Sequence, residues 1–252
     1  MLISVEKACR PAIMVREKVV RAPEYREVVY DESRWMLLKK LREETRGIMV
    51  ALASSGLEPY VHGSIARGDV WEGSDIDVVL LTPTPSYRVE ISLESSGYVI
   101  REKYIVMATP GSTPKAYLVL DEAGRRVVSF PLLKLQKRES EFYYFSGVIG
   151  LSELLKGVRV PGVDKRLVLI EPTQRGHREA PVIGFESRVA EVLNISVDTV
   201  LERTRVLTRR DEIGRTGVFI KYRVLSEASI EEALSELAKK NQWVRRIFIE
   251  RS

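Results

Sequence analysis

The stretch 60–81, YVHGSIARGDVWEGSDIDVVLL, sets Asp75 and Asp77 two residues apart in an apolar run. In a β-strand, residues i and i+2 share a face, so the two carboxylates project together while Ile76 and Val78 turn the other way. Burying one carboxylate costs several kcal/mol unless a charge meets it, and two side by side also repel. Any fold that holds this strand must therefore bring cations to it. A hard divalent ion suits oxygen ligands, and a pair of such ions suits phosphoryl transfer. Upstream, Gly63-Ser64 follows a short strand and leads into a helical turn. Glycine lets backbone approach a phosphate closely, and exposed amides with a hydroxyl bind its oxygens.

The surrounding pattern predicts a mixed α/β (α+β) layer fold. Residues 31–56 read as a helix, capped by Asp31 or Ser33 and stopped by Gly56, with Trp35, Leu37, Leu38, Leu41, Ile48 and Leu52 on one face. Strands are expected at 59–62 and 76–81, the second ended by Pro83 and Pro85, then a helix over 86–96. EKYIVMA, AYLVL and RVVSFPLL read as strands, the last two joined by a turn at 121–124. Residues 134–157 read as helical, KRLVLIEPT as another strand, and 3–30 as a strand or hairpin.

GSIARGDVWEGSDIDVVLL resembles the signature of the DNA polymerase β-like nucleotidyltransferase superfamily, and its Ala-Arg-Gly and Ser-Asp details are most similar to the minimal nucleotidyltransferases. The resemblance implies that Gly63 and Ser64 bind a triphosphate, and that Asp75 and Asp77 hold Mg²⁺ or Mn²⁺. It also implies attack of an acceptor hydroxyl on the α-phosphate of an NTP with loss of pyrophosphate. Arg67, in the intervening loop, is expected either to touch phosphate or to pair with an acid.

Fully active members carry a third carboxylate on a neighbouring strand. Its counterpart here, GRRVVSFPLL, puts Val128 in that place between Val127 and Ser129. Glu90, Asp121, Glu139 and Glu141 are the acids near by in sequence, and no spacing chooses among them. Two readings stand, an enzyme with a substitute acid whose acceptor hydroxyl could be on nucleic acid, and a nucleic-acid-binding regulator whose nucleotidyltransferase domain binds nucleotide but is catalytically silent. The chain has two histidines. His62, at a strand end, reads as a packed residue. His177 falls in a polar stretch, where an ordinary surface loop is the plainer reading than a phosphate contact with Arg175 and Arg178.

From 181 onward, VAEVLNISVDTVLERTRVL has the pattern of a helix-turn-helix, with Asn194 at the left-handed turn and Ser196 as cap. GRTGVFIKYRVL follows as a two-stranded wing bent at Gly214 and Gly217, so the segment resembles winged helix-turn-helix domains. Over 201–225, seven basic residues stand against three acidic ones. Arg203, Arg205, Arg209, Arg210, Arg215 and Lys221 are accordingly expected to meet nucleic-acid backbone, and packing or dimerisation is the competing use. The expected units are a nucleotidyltransferase domain over 1–172, a winged helix over 181–225, with the boundary in a loop at 172–184, and an amphipathic helix over 226–252. That helix covers the winged module or joins two subunits as a homodimer.

With 44% hydrophobic and 30% charged residues among 252, the chain suits a water-facing globular protein with a dense ionic surface. No run of about 18 apolar residues exists, which argues against a membrane span. Glu6 and Lys7 interrupt what a signal peptide would need, and the lone Cys9 has no disulfide partner, so a cytoplasmic location is expected. The net charge of +5 favours polyanionic partners.

Overall fold

The computed structural model describes residues 18–21, 25–214 and 217–251, so Arg215 and most of 3–30 lie outside it. In chain order the elements are β1 (Arg26–Val29), α1 (Glu32–Ala53), β2 (Pro59–His62), α2 (Ser64–Arg67), β3 (Ile76–Leu80), α3 (Ser86–Ser95) and β4 (Glu102–Met107). There follow β5 (Lys115–Val119), β6 (Arg126–Pro131), α4 (Lys137–Phe145), β7 (Val148–Gly150), α5 (Leu151–Leu155), β8 (Gly162–Val163), β9 (Val168–Thr173) and β10 (Gly176–Pro181). The last are α6 (Glu186–Leu193), α7 (Val197–Ile213), β11 (Ile220–Val224), α8 (Ile230–Lys240) and α9 (Gln242–Arg251).

A seven-stranded sheet has the order β11-β4-β5-β6-β3-β2-β7, and a four-stranded one β1-β10-β9-β8. In the large sheet only β3 and β6 run parallel. Alternation divides its side chains. Ile76, Val78 and Leu80 of β3 join Val128, Phe130, Leu118, Ile105 and Met107 in a buried core with α1, α3 and α8. Each large side chain so buried contributes about 1.5–3 kcal/mol. The opposite face carries Asp77. α1 begins where Asp31 Oδ1 accepts the Arg34 N–H at 2.8 Å, and it buries Leu38, Leu41, Thr45, Ile48, Met49 and Leu52 at helical spacing.

Three expectations change here. The stretch 172–184 is not a loop, because β10 pairs along β9 from Gly176↔Thr173 to Pro181↔Val168, and β1 pairs with β10 on its other side. Among the described residues no wing hairpin forms: α7 runs on to Ile213 and β11 joins the far edge of the large sheet, with Tyr222 opposite Ile105 on β4. The reason lies in β11's own alternation. Ile220, Tyr222 and Val224 add to the main core, a larger apolar gain than a two-stranded wing offers. The carboxy-terminal helix is two helices, divided at Asn241, and Ile230, Ala233, Leu234, Val244 and Ile247 also pack into that core.

Candidate nucleotide site

Gly63 ends β2 with φ 78° and ψ −145°, a conformation essentially reserved to glycine. Its N–H donates to Gly147 O at 2.9 Å, and its carbonyl accepts the Arg67 N–H at 3.0 Å, starting the single turn of α2. The Ser64 hydroxyl donates to Ser74 Oγ at 3.1 Å, and Ser74 Oγ also accepts the Trp71 N–H at 3.0 Å. Loop 68–75 is thereby folded back, and Ser64 is tied to the residue just before Asp75.

Asp75 is exposed immediately ahead of β3, and Asp77 is partly buried within it. Burial raises both carboxyl pKa values above the ordinary range, the neighbouring Asp77 charge raises Asp75 further, and the Lys165 ammonium offsets part of the rise at each. Among the described residues, no cation comes within ion-pair distance of either carboxylate. Lys165, on the short connection between β8 and β9, is the group that sequence reasoning missed. No local signal marks it, because another sheet carries it to the pair.

Strand register corrects the place of the missing acid. Val128 pairs with Val78 and faces the buried core, whereas Val127 lies opposite Asp77 and Ser129 opposite Val79. Neither residue on the Asp77 side is acidic. Glu90 pairs with Lys103 at 3.4 Å. Glu139 closes a capping box at the start of α4 and accepts from Thr113. Glu141 accepts from the Ser196 and Thr199 hydroxyls. Asp121 binds the N–H groups of Arg125 and Arg126 at 2.8 and 2.9 Å, closing the β5–β6 turn, though its charge still reaches Asp75. Among the described residues, no cluster of three acid, His or Cys side chains forms.

Arg67 pairs with an acid on its own loop. Its side chain, 5% exposed, clamps Asp69 through Nε at 3.0 Å and Nη2 at 2.9 Å, and Nη1 donates to the carbonyls of Ser146 and Val163. A buried guanidinium needs those acceptors, and they take four of its five donors. His62 is packed edge-on to Phe142 and Tyr143, with Nδ1 3.0 Å from Ser146 Oγ. Burial, then the Arg67, Lys115 and Lys165 charges, hold its pKa down at about 3, so it stays neutral. His177 is not on a loop; it is buried on β10 with Nδ1 2.6 Å from the Tyr30 hydroxyl. Arg175 instead pairs with Glu27 at 3.6 Å.

The helix pair does form, with Asn194 at φ 51° between α6 and α7. The start of α7 is engaged, however. Ser196 stands at the cap position, but its hydroxyl goes to Glu141 on α4, while Arg138 of α4 pairs with Asp198 at 3.7 Å and Glu202 at 3.3 Å. Arg203 lies over the Phe142 ring at 4.8 Å, its Nε buried without a hydrogen-bond partner, and burial lowers its pKa to about 10. Arg205, Arg209 and Arg210 are exposed on α7, and Lys221 sits apart on β11. The expected basic surface is thus divided between a helix and a sheet edge.

Residues 42–160 match the family model of the nucleotidyltransferase domain. This segment is similar to nucleotidyltransferase domains. It contains Gly63, Ser64, Asp75 and Asp77, and it ends before Lys165, the α6–α7 pair and β11. Among curated proteins, none matches the chain. Among the described residues, no helix is long and apolar enough to cross a membrane.

Proposed function

We propose that the nucleotidyltransferase domain passes a nucleoside monophosphate from an NTP to an acceptor hydroxyl, with nucleic acid as acceptor, in a reaction that depends on Mg²⁺ or Mn²⁺. One observation carries the reading: the charges of Asp75 and Asp77 act on each other, with no counter-ion in bonding distance among the described residues, beside the Gly63-Ser64 turn. Their oxygens are a hard donor set that suits a hard divalent ion. Bound there by Asp75 and Asp77, such an ion would neutralise phosphate charge and acidify the acceptor hydroxyl.

The chain's own groups have separate tasks. The first-turn N–H groups of α2 and the Ser64 hydroxyl bind phosphate oxygens. Lys165 supplies positive charge above the carboxylates for the triphosphate tail. The acceptor oxygen forms a bond to the α-phosphorus, the bond from that phosphorus to the β-phosphate oxygen breaks, and pyrophosphate leaves. With Val127 and Ser129 on the Asp77 side of β6, no third carboxylate stands there to take the acceptor proton; the proton passes to solvent water, and transfer is expected to be slow.

That same pair of residues supports a second reading, nucleotide binding without turnover. Labelled NTP incubated with the chain, divalent ion and candidate acceptors separates the two. Transfer by the intact chain, lost by about a thousandfold in Asp75→Ala/Asp77→Ala, supports the first. NTP binding without transfer supports the second, and absence of both removes both.

A further inference from the structure

The large sheet's face away from α1, α3 and α8 extends well past Asp77. Residues directly opposite on neighbouring strands share a face, so its side chains can be followed in rows. One row runs from Ser129 to Tyr117, then to Tyr104, then to Arg223 on the edge strand β11. The next carries Lys115 on β5 and Lys221 on β11, with Val106 between them. The two tyrosines are directly opposed across β5 and β4, and the Lys221 ammonium lies 4.3 Å over the Tyr104 ring. Tyr104, Tyr117 and Lys115 are half-buried, Lys115 donating to the Tyr143 hydroxyl of α4 at 3.0 Å, and Lys221 and Arg223 are exposed. Glu102, at the margin of these rows, is neutralised by Arg223 at 3.1 Å and accepts the Tyr104 hydroxyl at 2.7 Å.

We propose that this face is the path of a single-stranded nucleic acid whose end reaches Asp77, with Tyr104 and Tyr117 stacking on bases and Lys115, Lys221 and Arg223 meeting the backbone. The proposal rests on the transfer reading and names its acceptor and that acceptor's route. Flat aromatic side chains interleaved with cations suit unpaired bases, which expose their π-faces, and do not suit a duplex, whose bases are stacked on one another. The path from β3 to β11 crosses four strand spacings, about 19 Å at roughly 4.8 Å each. It also gives β11 a use: the carboxy-terminal segment adds cations to the site's own sheet instead of forming a separate reader. The beginning of α7, tied to α4, is not open to a groove.

The test is fluorescence anisotropy of labelled single-stranded oligonucleotides with the full chain, in the absence of NTP and divalent ion. Lys221→Ala/Arg223→Ala, both exposed, should weaken binding about tenfold or more and reduce the salt slope by about 1.4. Tyr104→Ala should cost about tenfold while Tyr104→Phe keeps most of the affinity. Circular dichroism checks folding, and the Phe and edge-strand variants decide the matter where Tyr104→Ala does not fold. Unchanged binding by Lys221→Ala/Arg223→Ala, a preference for duplex, or loss confined to Arg205→Ala/Arg209→Ala would overturn the proposal. Strand binding without any transfer leaves the surface standing and sinks the transfer reading. Transfer to another acceptor with no strand binding does the reverse.

Discussion

Asp69 and Asp75 lie on one loop, six residues apart, and the fold treats them in opposite ways. Asp69 receives Nε and Nη2 of the buried Arg67 guanidinium, whose Nη1 pins the backbone at Ser146 and Val163. Asp75 and its neighbour Asp77 receive no such partner, and both carboxyl pKa values rise. A buried charge met by geometry serves stability; one left unmet costs stability and is open to a ligand. The sharpest way to break this contrast is to exchange the effects. Arg67→Ala should destabilise the chain by about 3 kcal/mol or more in urea unfolding, since it strands Asp69. Arg67→Lys should recover only part, because an ammonium cannot hold both oxygens and two carbonyls. A mild loss for Arg67→Ala would mean that the clamp is not what holds this loop.

Histidine 62 sharpens the comparison at the other end of α2. With its pKa held at about 3, it resists protonation in the folded chain, while the unfolded chain takes up a proton near 6.5. The folded value is depressed, so the contribution is complete above about pH 6.5 and is lost as pH falls toward 3. Between pH 7 and 5 the loss is about 2 kcal/mol. His62→Gln should flatten the corresponding fall in melting temperature, and an unchanged pH profile would show that His62 is solvated.

What could be read in advance follows from how local each feature is. Asp31, the spacing of Leu38, Leu41 and Leu52, and the Gly63 turn specify α1 and the start of α2 within a few residues each. The same holds for Asn194 between α6 and α7. The Asp pair was legible from its i, i+2 spacing, although only Asp77 lies within β3 and Asp75 stands just ahead of it, close enough for the two charges to interact. Partners far along the chain were not. Alternation in 220–224 says that one face is buried but not that β4 supplies the neighbour. His177 looked exposed because its surroundings are polar, yet β1 and Tyr30 cover it. Arg67 carried the same charge whether it met phosphate or Asp69, and only the fold decides between them.

The smallest effect bears most directly on the unmet pair. Asp77→Asn keeps the shape and removes a charge that burial disfavours, so the metal-free variant should be more stable than the parent at pH 7, by up to about 1 kcal/mol. The sign follows from the raised pKa. The native carboxylate is penalised only where it is ionised, so the gain is full above its folded value and disappears below about pH 3.8, where both states are protonated. Divalent ion should reverse the order. At tenfold above its Kd, Mg²⁺ stabilises the parent by about 1.4 kcal/mol through mass action, while the variant, short of one carboxylate, gains little. Melting curves of both chains at pH 7 and pH 3.5, with and without Mg²⁺, read all of these terms. Equal Mg²⁺ responses, or a variant less stable without it, would place Asp77 with Asp69 among the charges the fold itself has satisfied.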